Sequence, residues 1–132
     1  MDLTSFTRRA IGVPFLEHGR DFDGWDCWGL VIAAYREVLG VTVPDFTYAS
    51  ARDYLRLARL FTDRDAPYWR KVDPRPMAVA CIYRRGVVIH AGLVVPNRRI
   101  LHVEEGIETC LQPVASFRVE SYYAPDCCHA SI

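Results

Sequence analysis

The chain has 132 residues, of which 51% are hydrophobic and 24% charged, a composition that supports one domain with a core of its own. Its 16 basic and 16 acidic side chains cancel, so the overall charge gives no indication of a nucleic acid or an anionic membrane as partner. The N-terminus has no basic-then-apolar signal peptide, and no apolar run reaches membrane-spanning length. We therefore expect a single domain over residues 1–132, made in the cytoplasm and not inserted in a membrane.

The first half of the chain is predicted to be mainly helical. In chain order we expect a short helix at 5–11, a break at 12–15, a loop at 16–25, a helix at 27–39, an extended segment at 41–48 and a helix at 49–62. The helix at 27–39 has the clearest pattern, because apolar residues recur on one side of it. Asp26 occupies its N-cap position and Gly40 the position of a terminating glycine. Cys27 thus lies in the first turn, where the helix dipole and free N–H groups favour a thiolate.

The second half is predicted to form a sheet. A polar connection at 63–76 precedes a continuous apolar run at 77–83, which is typical of a central buried strand. Further strands are expected at 87–95, 99–103, 107–111 and 117–123. Helices followed by an antiparallel meander indicate an α+β domain in which the helix that begins at Cys27 packs on the sheet.

The five cysteines predict neither a disulfide framework nor a standard zinc site, because their number is odd and no pair has C-x-x-C spacing. Cys81 and Cys110 fall in apolar runs and are interpreted as small core residues. Cys127-Cys128-His129 could bind a metal, but adjacent cysteines close to a chain end with few partner ligands favour a frayed tail. We therefore expect no metal and no cofactor.

Two histidines could supply a base for Cys27. His90 and His102 each lie in the middle of a predicted strand, whereas His18 lies in a loop and His129 in the tail, where we expect both to be exposed. A lone histidine in a strand is usually a half-buried structural residue. Two on adjacent strands, in a chain with a cysteine at a helix start, favour a catalytic interpretation.

The loop between the two strands decides whether the histidines meet. A three-residue loop at 96–98 would place Gly92 opposite His102, with His90 as the diagonal neighbour on the same face. Diagonal neighbours have Cα atoms roughly 7–8 Å apart, and Gly92 has no side chain to stand between the rings. A two-residue turn would put the histidines on opposite faces.

These three residues would follow the pattern of nucleophile, base and orienter. Cys27 would attack an acyl carbon, His90 would take and return the proton, and His102 would fix the ring and tautomer of His90. The backbone N–H of Cys27 would be one donor to the oxyanion, and the sequence does not identify the second.

Four motifs resemble, in order and spacing, the NlpC family of papain-like cell-wall cysteine peptidases: Gly12-Val13-Pro14-Phe15, Asp26-Cys27-Trp28-Gly29-Leu30-Val31, His90-Ala91-Gly92-Leu93-Val94 and Leu101-His102. The resemblance covers about residues 8 to 112. It implies the papain-like NlpC fold and the roles of Cys27, His90 and His102 given above. It also implies cleavage of peptidoglycan stem peptides, typically between D-glutamate and a diamino acid.

Departures from the family pattern bear on the substrate. Trp28 stands where the family usually has serine, Phe15 where it usually has tyrosine, and Pro76-Met77-Ala78 where it has Pro-Gly-Asp. The resemblance implies substrate contacts for Asp26, Trp28 and Phe15. Asp26 is associated with the amine end of the substrate in the family, or it serves only as an N-cap; both interpretations stay open.

The Trp28 form of the motif, the compact domain and the missing signal peptide resemble the versions carried by tailed bacteriophages. This implies a tail-tip component with other tail-tip proteins as partners, located in the virion and delivered by the particle to peptidoglycan. Two alternatives are a structural tail-tip protein with little or no activity, and a thiol amidase or acyltransferase on the same fold.

Overall fold

A computed structural model of the chain describes residues 1–45, 68–84 and 86–125. The predicted helix at 49–62 and the Cys127-Cys128-His129 segment lie outside the described residues. The elements in chain order are α1 (Leu3–Ala10), β1 (Arg20–Asp21), β2 (Gly24–Trp25), α2 (Cys27–Ala34), β3 (Trp69–Val72), β4 (Val79–Arg84), β5 (Val87–Val95), β6 (Arg99–Glu104), β7 (Ile107–Pro113) and β8 (Val119–Pro125).

The helix that begins at Cys27 is confirmed with both of its predicted ends. The Asp26 carboxylate accepts a hydrogen bond from the backbone N–H of Gly29, as an N-cap does. A π-helical turn at Tyr35–Leu39 continues α2, and Gly40 ends it in the left-handed conformation at φ 66°. All eight residues of α2 are buried, so the predicted one-sided apolar stripe is wrong. The helix is covered because the sheet packs on one side of it and the β1–β2 hairpin on another, while α1 packs against the π-helical turn that follows.

Strands β3 to β8 form one antiparallel sheet in the order β3-β8-β4-β5-β6-β7. The predicted meander is confirmed for β4 to β7, but β8 returns to pair with β4 and with β3. Strand β3 falls in the segment predicted as a loop, and that prediction is wrong because β3 pairs with a strand some fifty residues later, Trp69 opposite Pro125. The predicted loop at 16–25 likewise contains the short β1–β2 hairpin, with Arg20 opposite Trp25.

The sheet has two covered faces. One carries α2 and holds the larger core, which includes Val79, Cys81, Ala91, Leu93 and Leu101 from the strands. The other holds a smaller cluster formed by Ala78, Ala80, Ile82, Val94 and Ile100, against which Val114 and Phe117 pack. In the described residues no helix has both the length and the apolar character that a membrane span requires.

Met77, just before β4, has a left-handed backbone conformation. Its φ of 75° lies in the left-handed region that glycine adopts most readily. The family pattern has glycine at this position, between the proline and the aspartate of Pro-Gly-Asp. The hydroxyl of Tyr35 donates a hydrogen bond to the Met77 carbonyl, which ties the end of the helical segment to the beginning of β4.

Candidate active site

Cys27 lies at the N-terminus of α2, where its sulfur faces the backbone of β5. The side chain is 5% exposed. Backbone N–H groups of Ala91 and Trp28 donate to the sulfur and lower the pKa of the thiol, but burial and the nearby Asp26 carboxylate act more strongly. Burial, the largest cause, raises this pKa to about 12. The N–H groups therefore act in the predicted direction, but burial outweighs them and favours the neutral thiol.

Asp26 is occupied by donors from its own chain. One carboxylate oxygen accepts from the Gly29 backbone N–H at 2.7 Å and from Arg20 Nη1 at 2.8 Å, and the other accepts from the His18 backbone N–H at 2.9 Å. Arg20 also binds the Asp45 carboxylate at 2.9 Å. Asp26 is buried, so these contacts support the N-cap interpretation; a substrate contact by Asp26 stays a prediction.

His90 and His102 meet as the three-residue loop predicts. Val95 pairs with Arg99, and Val94 with Ile100, which fixes the register of β5 against β6. The Nε2 atom of His90 lies 3.1 Å from Nδ1 of His102, and both side chains are buried.

Gly92 leaves room where β5 approaches β6 beside the two rings. A Cβ atom on Gly92 would lie 2.4 Å from Ile100 Cγ2 and 3.5 Å from His102 Cβ. Approach under 3.0 Å forces a shift, so any larger residue at this position would have to displace the Ile100 side chain of β6.

The Cys27 sulfur and the two imidazoles approach β5 from opposite faces of the sheet. His90 is paired with Ile82, and His102 packs against Phe117 with ring centroids 4.9 Å apart, so both imidazoles lie on the face away from α2. The β5–β6 ladder ends at the pair Leu93–Leu101, although both strands continue. Ala91 lies beyond that end, where its N–H reaches the Cys27 sulfur.

A β-bulge also precedes His90. The β4–β5 register shifts between Ile82 and Tyr83, which pair with His90 and Val88, so one extra residue of β5 comes immediately before His90. Bulges bend a strand and redirect the neighbouring side chain. No hydrogen bond joins Cys27 Sγ to a ring nitrogen of His90 in this structure, although the thiol lies against the adjoining residue of β5. Catalytic hydrogen bonds often tighten only when substrate binds.

Gln112 fixes the tautomers of both histidines, and sequence reasoning missed it. The Gln112 side-chain carbonyl Oε1 lies 2.8 Å from His102 Nε2, so this nitrogen carries a proton and donates. Neutral His102 then has its lone pair on Nδ1, which accepts the N–H of His90 Nε2. Neutral His90 in turn has its lone pair on Nδ1, which has no hydrogen-bond partner among the described residues. Within the described part of the chain, the hydrogen bonds therefore leave Nδ1 of His90 as the ring nitrogen that can accept a proton.

Burial keeps both rings neutral. It lowers the pKa of His90 to about 3 against the opposing influence of the Glu104 carboxylate, and it also lowers the pKa of His102. Glu104 Oε1 lies 3.9 Å from His102 Nδ1 and 2.8 Å from Nη2 of Arg84. The hydrogen bonds from Arg84 hold the pKa of Glu104 below its usual range. Glu104 and Arg84 were also missed, because they lie two strands apart and no local pattern links them.

The remaining predicted site residues lie in the protein interior or beside it. Trp28 is 3% exposed, donates from Nε1 to the Pro44 carbonyl at 2.9 Å and packs against Trp69 with ring centroids 5.5 Å apart. Phe15 is partly buried and bridges to Trp25. The prediction that these two residues contact substrate stays a prediction.

The predictions for the other histidines and cysteines divide. His18 is exposed, as expected, and Cys81 is buried in the core. Cys110 is only partly buried and its sulfur lies 3.6 Å from His102 Nε2, so its assignment to the core is wrong. It is paired with His102 across β6 and β7, which places it at the rim of the site.

No protein-family model matches the chain, and no curated protein matches it. Among solved structures, the chain is similar to the crystal structure of the NlpC/p60 domain of the peptidoglycan hydrolase SagA. The TM-score is 0.64 at 17% identity, and the likeness covers 92% of this chain and 94% of that one. The α+β NlpC/p60 fold predicted from the sequence is therefore confirmed.

Proposed function

We propose that the protein is a thiol peptidase that cleaves peptidoglycan stem peptides. The observation that carries the proposal is the ordered relay from Gln112 through His102 to His90. Nδ1 of His90 has no partner in the described ranges, and His90 is next to Ala91, whose N–H contacts the Cys27 sulfur. An inert core cysteine has no need of two buried histidines whose tautomers are fixed.

The reaction begins from a neutral pair. As Cys27 Sγ attacks the peptide carbonyl carbon, its proton passes to His90 Nδ1, and the backbone N–H of Cys27 donates to the developing oxyanion. His90 then gives that proton to the leaving amine, which departs and leaves a thioester on Cys27. A water molecule gives a proton to His90 Nδ1 and attacks the thioester, and return of the proton to sulfur frees the acid product. His102 accepts from His90 Nε2 throughout and stabilises the transient imidazolium.

The substrate proposed is the D-glutamyl–diamino acid bond of the stem peptide. Its support is the resemblance of the four motifs to NlpC peptidases and the likeness of the fold to a domain of a peptidoglycan hydrolase. The Trp28 form of the motif supports the further proposal that the protein works as a tail-tip component of a bacteriophage. Mass spectrometry of purified particles tests this location, and absence of the chain from the tail would contradict it.

Product analysis with purified peptidoglycan tests the activity. We expect wild type to release fragments that carry a new diamino-acid amine, and Cys27→Ala to release none. Release of whole stem peptides would instead identify an amidase. If wild type releases neither product, the result supports the alternative of a structural protein with the same fold and little or no activity.

A further inference from the structure

The proposed base and its orienter, His90 and His102, form a close cluster with Glu104, and proton transfer does not require this third residue. One ring nitrogen of His90, one ring nitrogen of His102 and a carboxylate oxygen of Glu104 all lie within 4.8 Å of one another. We propose that this cluster is an inhibitory site for Zn²⁺, bound by His90 Nε2, His102 Nδ1 and Glu104. The inhibition rests on the proposed peptidase function, whereas the binding does not.

The distances suit a zinc ion. Zinc bonds to imidazole nitrogen at about 2.0–2.1 Å, so two nitrogens on a tetrahedral ion lie about 3.3 Å apart. The nitrogens of His90 and His102 are already 3.1 Å apart. Glu104 Oε1 lies 3.9 Å from His102 Nδ1. The Glu104 side chain is partly exposed, so a small movement would bring this oxygen within bonding distance of an ion held by the two nitrogens. Two histidines and a glutamate form an open zinc site with a fourth position for water.

The surroundings of the cluster also fit. Gln112 Oε1 accepts from His102 Nε2, the ring nitrogen opposite the proposed metal bond, and such a partner fixes the orientation of a ligating histidine. Arg84 opposes the metal by its charge while it holds the Glu104 carboxylate in place.

Zinc at this position would stop the reaction without touching the thiol. A bond from the ion to His90 Nε2 takes the lone pair on that atom, so the ring proton moves to Nδ1 and the net charge of the ring is unchanged. Nδ1 then donates and no longer accepts the Cys27 proton. The ion therefore removes the base and also breaks the contact between the two histidines.

Direct titration of the apo protein with Zn²⁺ by calorimetry tests the site. The background is the full chain with Cys127→Ser, Cys128→Ser and His129→Ala, so that these adjacent ligands bind no metal. We expect one ion per chain, with affinity reduced at least about tenfold by Glu104→Gln and by His102→Asn. Cys27→Ala and Cys110→Ser are the matched controls and should keep the affinity within about threefold, because the proposed ligands include no thiolate.

X-ray absorption at the zinc edge gives a second readout that needs none of these site variants to fold. We expect only nitrogen and oxygen neighbours; a sulfur neighbour at about 2.3 Å would overturn the proposal, as would affinity lost with Cys27→Ala or unchanged in Glu104→Gln. Peptidoglycan cleavage separates the two hypotheses. Binding without any cleavage by the metal-free protein would refute the proposed function alone, and cleavage that bound zinc leaves unchanged would refute the inhibition alone.

Discussion

The two halves of the candidate site are built in different ways. The base half consists of His90, His102 and Gln112, which lie on consecutive strands and are joined by hydrogen bonds of 3.1 and 2.8 Å. The nucleophile half consists of Cys27 and its cap Asp26, held by the β1–β2 hairpin through Arg20. The comparison shows that the base is oriented by a relay of rings, whereas the nucleophile is positioned by a helix end and kept neutral by burial.

The largest effect is expected from removing the nucleophile. Cys27→Ala should reduce peptidoglycan cleavage by at least about 10³-fold, because no other described thiol contacts Ala91 beside His90. The free energy of unfolding should change little, since the side chain is small and lies at a helix end. Rates of product release and urea unfolding measure the two quantities. Cleavage close to the wild-type rate would contradict the mechanism.

The relay should show graded losses. His90→Ala should lower kcat by about 10²–10⁴-fold, because it removes the proton acceptor. His102→Asn should cost less, since an amide oxygen can still accept from His90 Nε2. Single-turnover rates at neutral pH compare them, and equal losses would mean that the two roles are misassigned.

Variants of Gln112 test a positioning role in the base half, because Gln112 contacts His102 and not the reacting atoms. Gln112→Leu removes the acceptor of His102 Nε2 and leaves both His102 tautomers possible, so we expect kcat to fall about tenfold with KM nearly unchanged. Gln112→Glu is the matched control, because it keeps the size of the side chain and an oxygen that can accept from His102 Nε2. A larger effect of Gln112→Leu on KM than on kcat would contradict a role in fixing the tautomer.

Acid should destabilise the base half more than the nucleophile half. The pKa of His90 is about 3 in the folded protein and near 6.5 in the unfolded chain, so between these values the unfolded state binds more protons. The free energy of unfolding should fall as the pH drops from about 6.5 towards 3, with a limiting slope of about 1.4 kcal/mol per pH unit from His90. Urea unfolding of His90→Gln should show a shallower slope; an identical slope would contradict a buried neutral ring.

The smallest expected effect is the loss of stability when the N-cap of a helix is removed, compared between Asp26 and Asp2. Asp26→Ala should lower the free energy of unfolding by about 1–2 kcal/mol, because Asp26 is buried and also binds Arg20. Asp2 caps α1 through Ser5 at an exposed position, so Asp2→Ala is the matched control and should lower the free energy of unfolding less than Asp26→Ala does. A larger cost at Asp2 would show that the hairpin contacts add nothing to the Asp26 cap.

The parts that local patterns determine were predictable from the sequence. The position of Cys27 follows from an N-cap and a terminating glycine, and the meeting of His90 and His102 follows from the length of one loop and the alternation of side chains. The neutral state of the thiol was not predictable, because burial depends on how completely α2 is covered by elements far away in sequence.

The contacts that depend on distant pairing were also missed. Gln112 reaches His102 because β7 pairs with β6 so that Gln112 lies opposite Ile100, two residues before His102. Arg84 and Glu104 come together across β5, and β3 is a strand only because it meets β8. No periodicity within a single segment reports such partners.

The tautomer of His90 is the central claim, and nitrogen-15 NMR of the histidine rings tests it most directly. The relay predicts that at neutral pH His90 carries its proton on Nε2 and has an unprotonated Nδ1, with His102 protonated on Nε2. Spectra of His90→Gln and His102→Asn assign the signals. A His90 ring protonated on Nδ1, or on both nitrogens at pH 7, would contradict the proposed base.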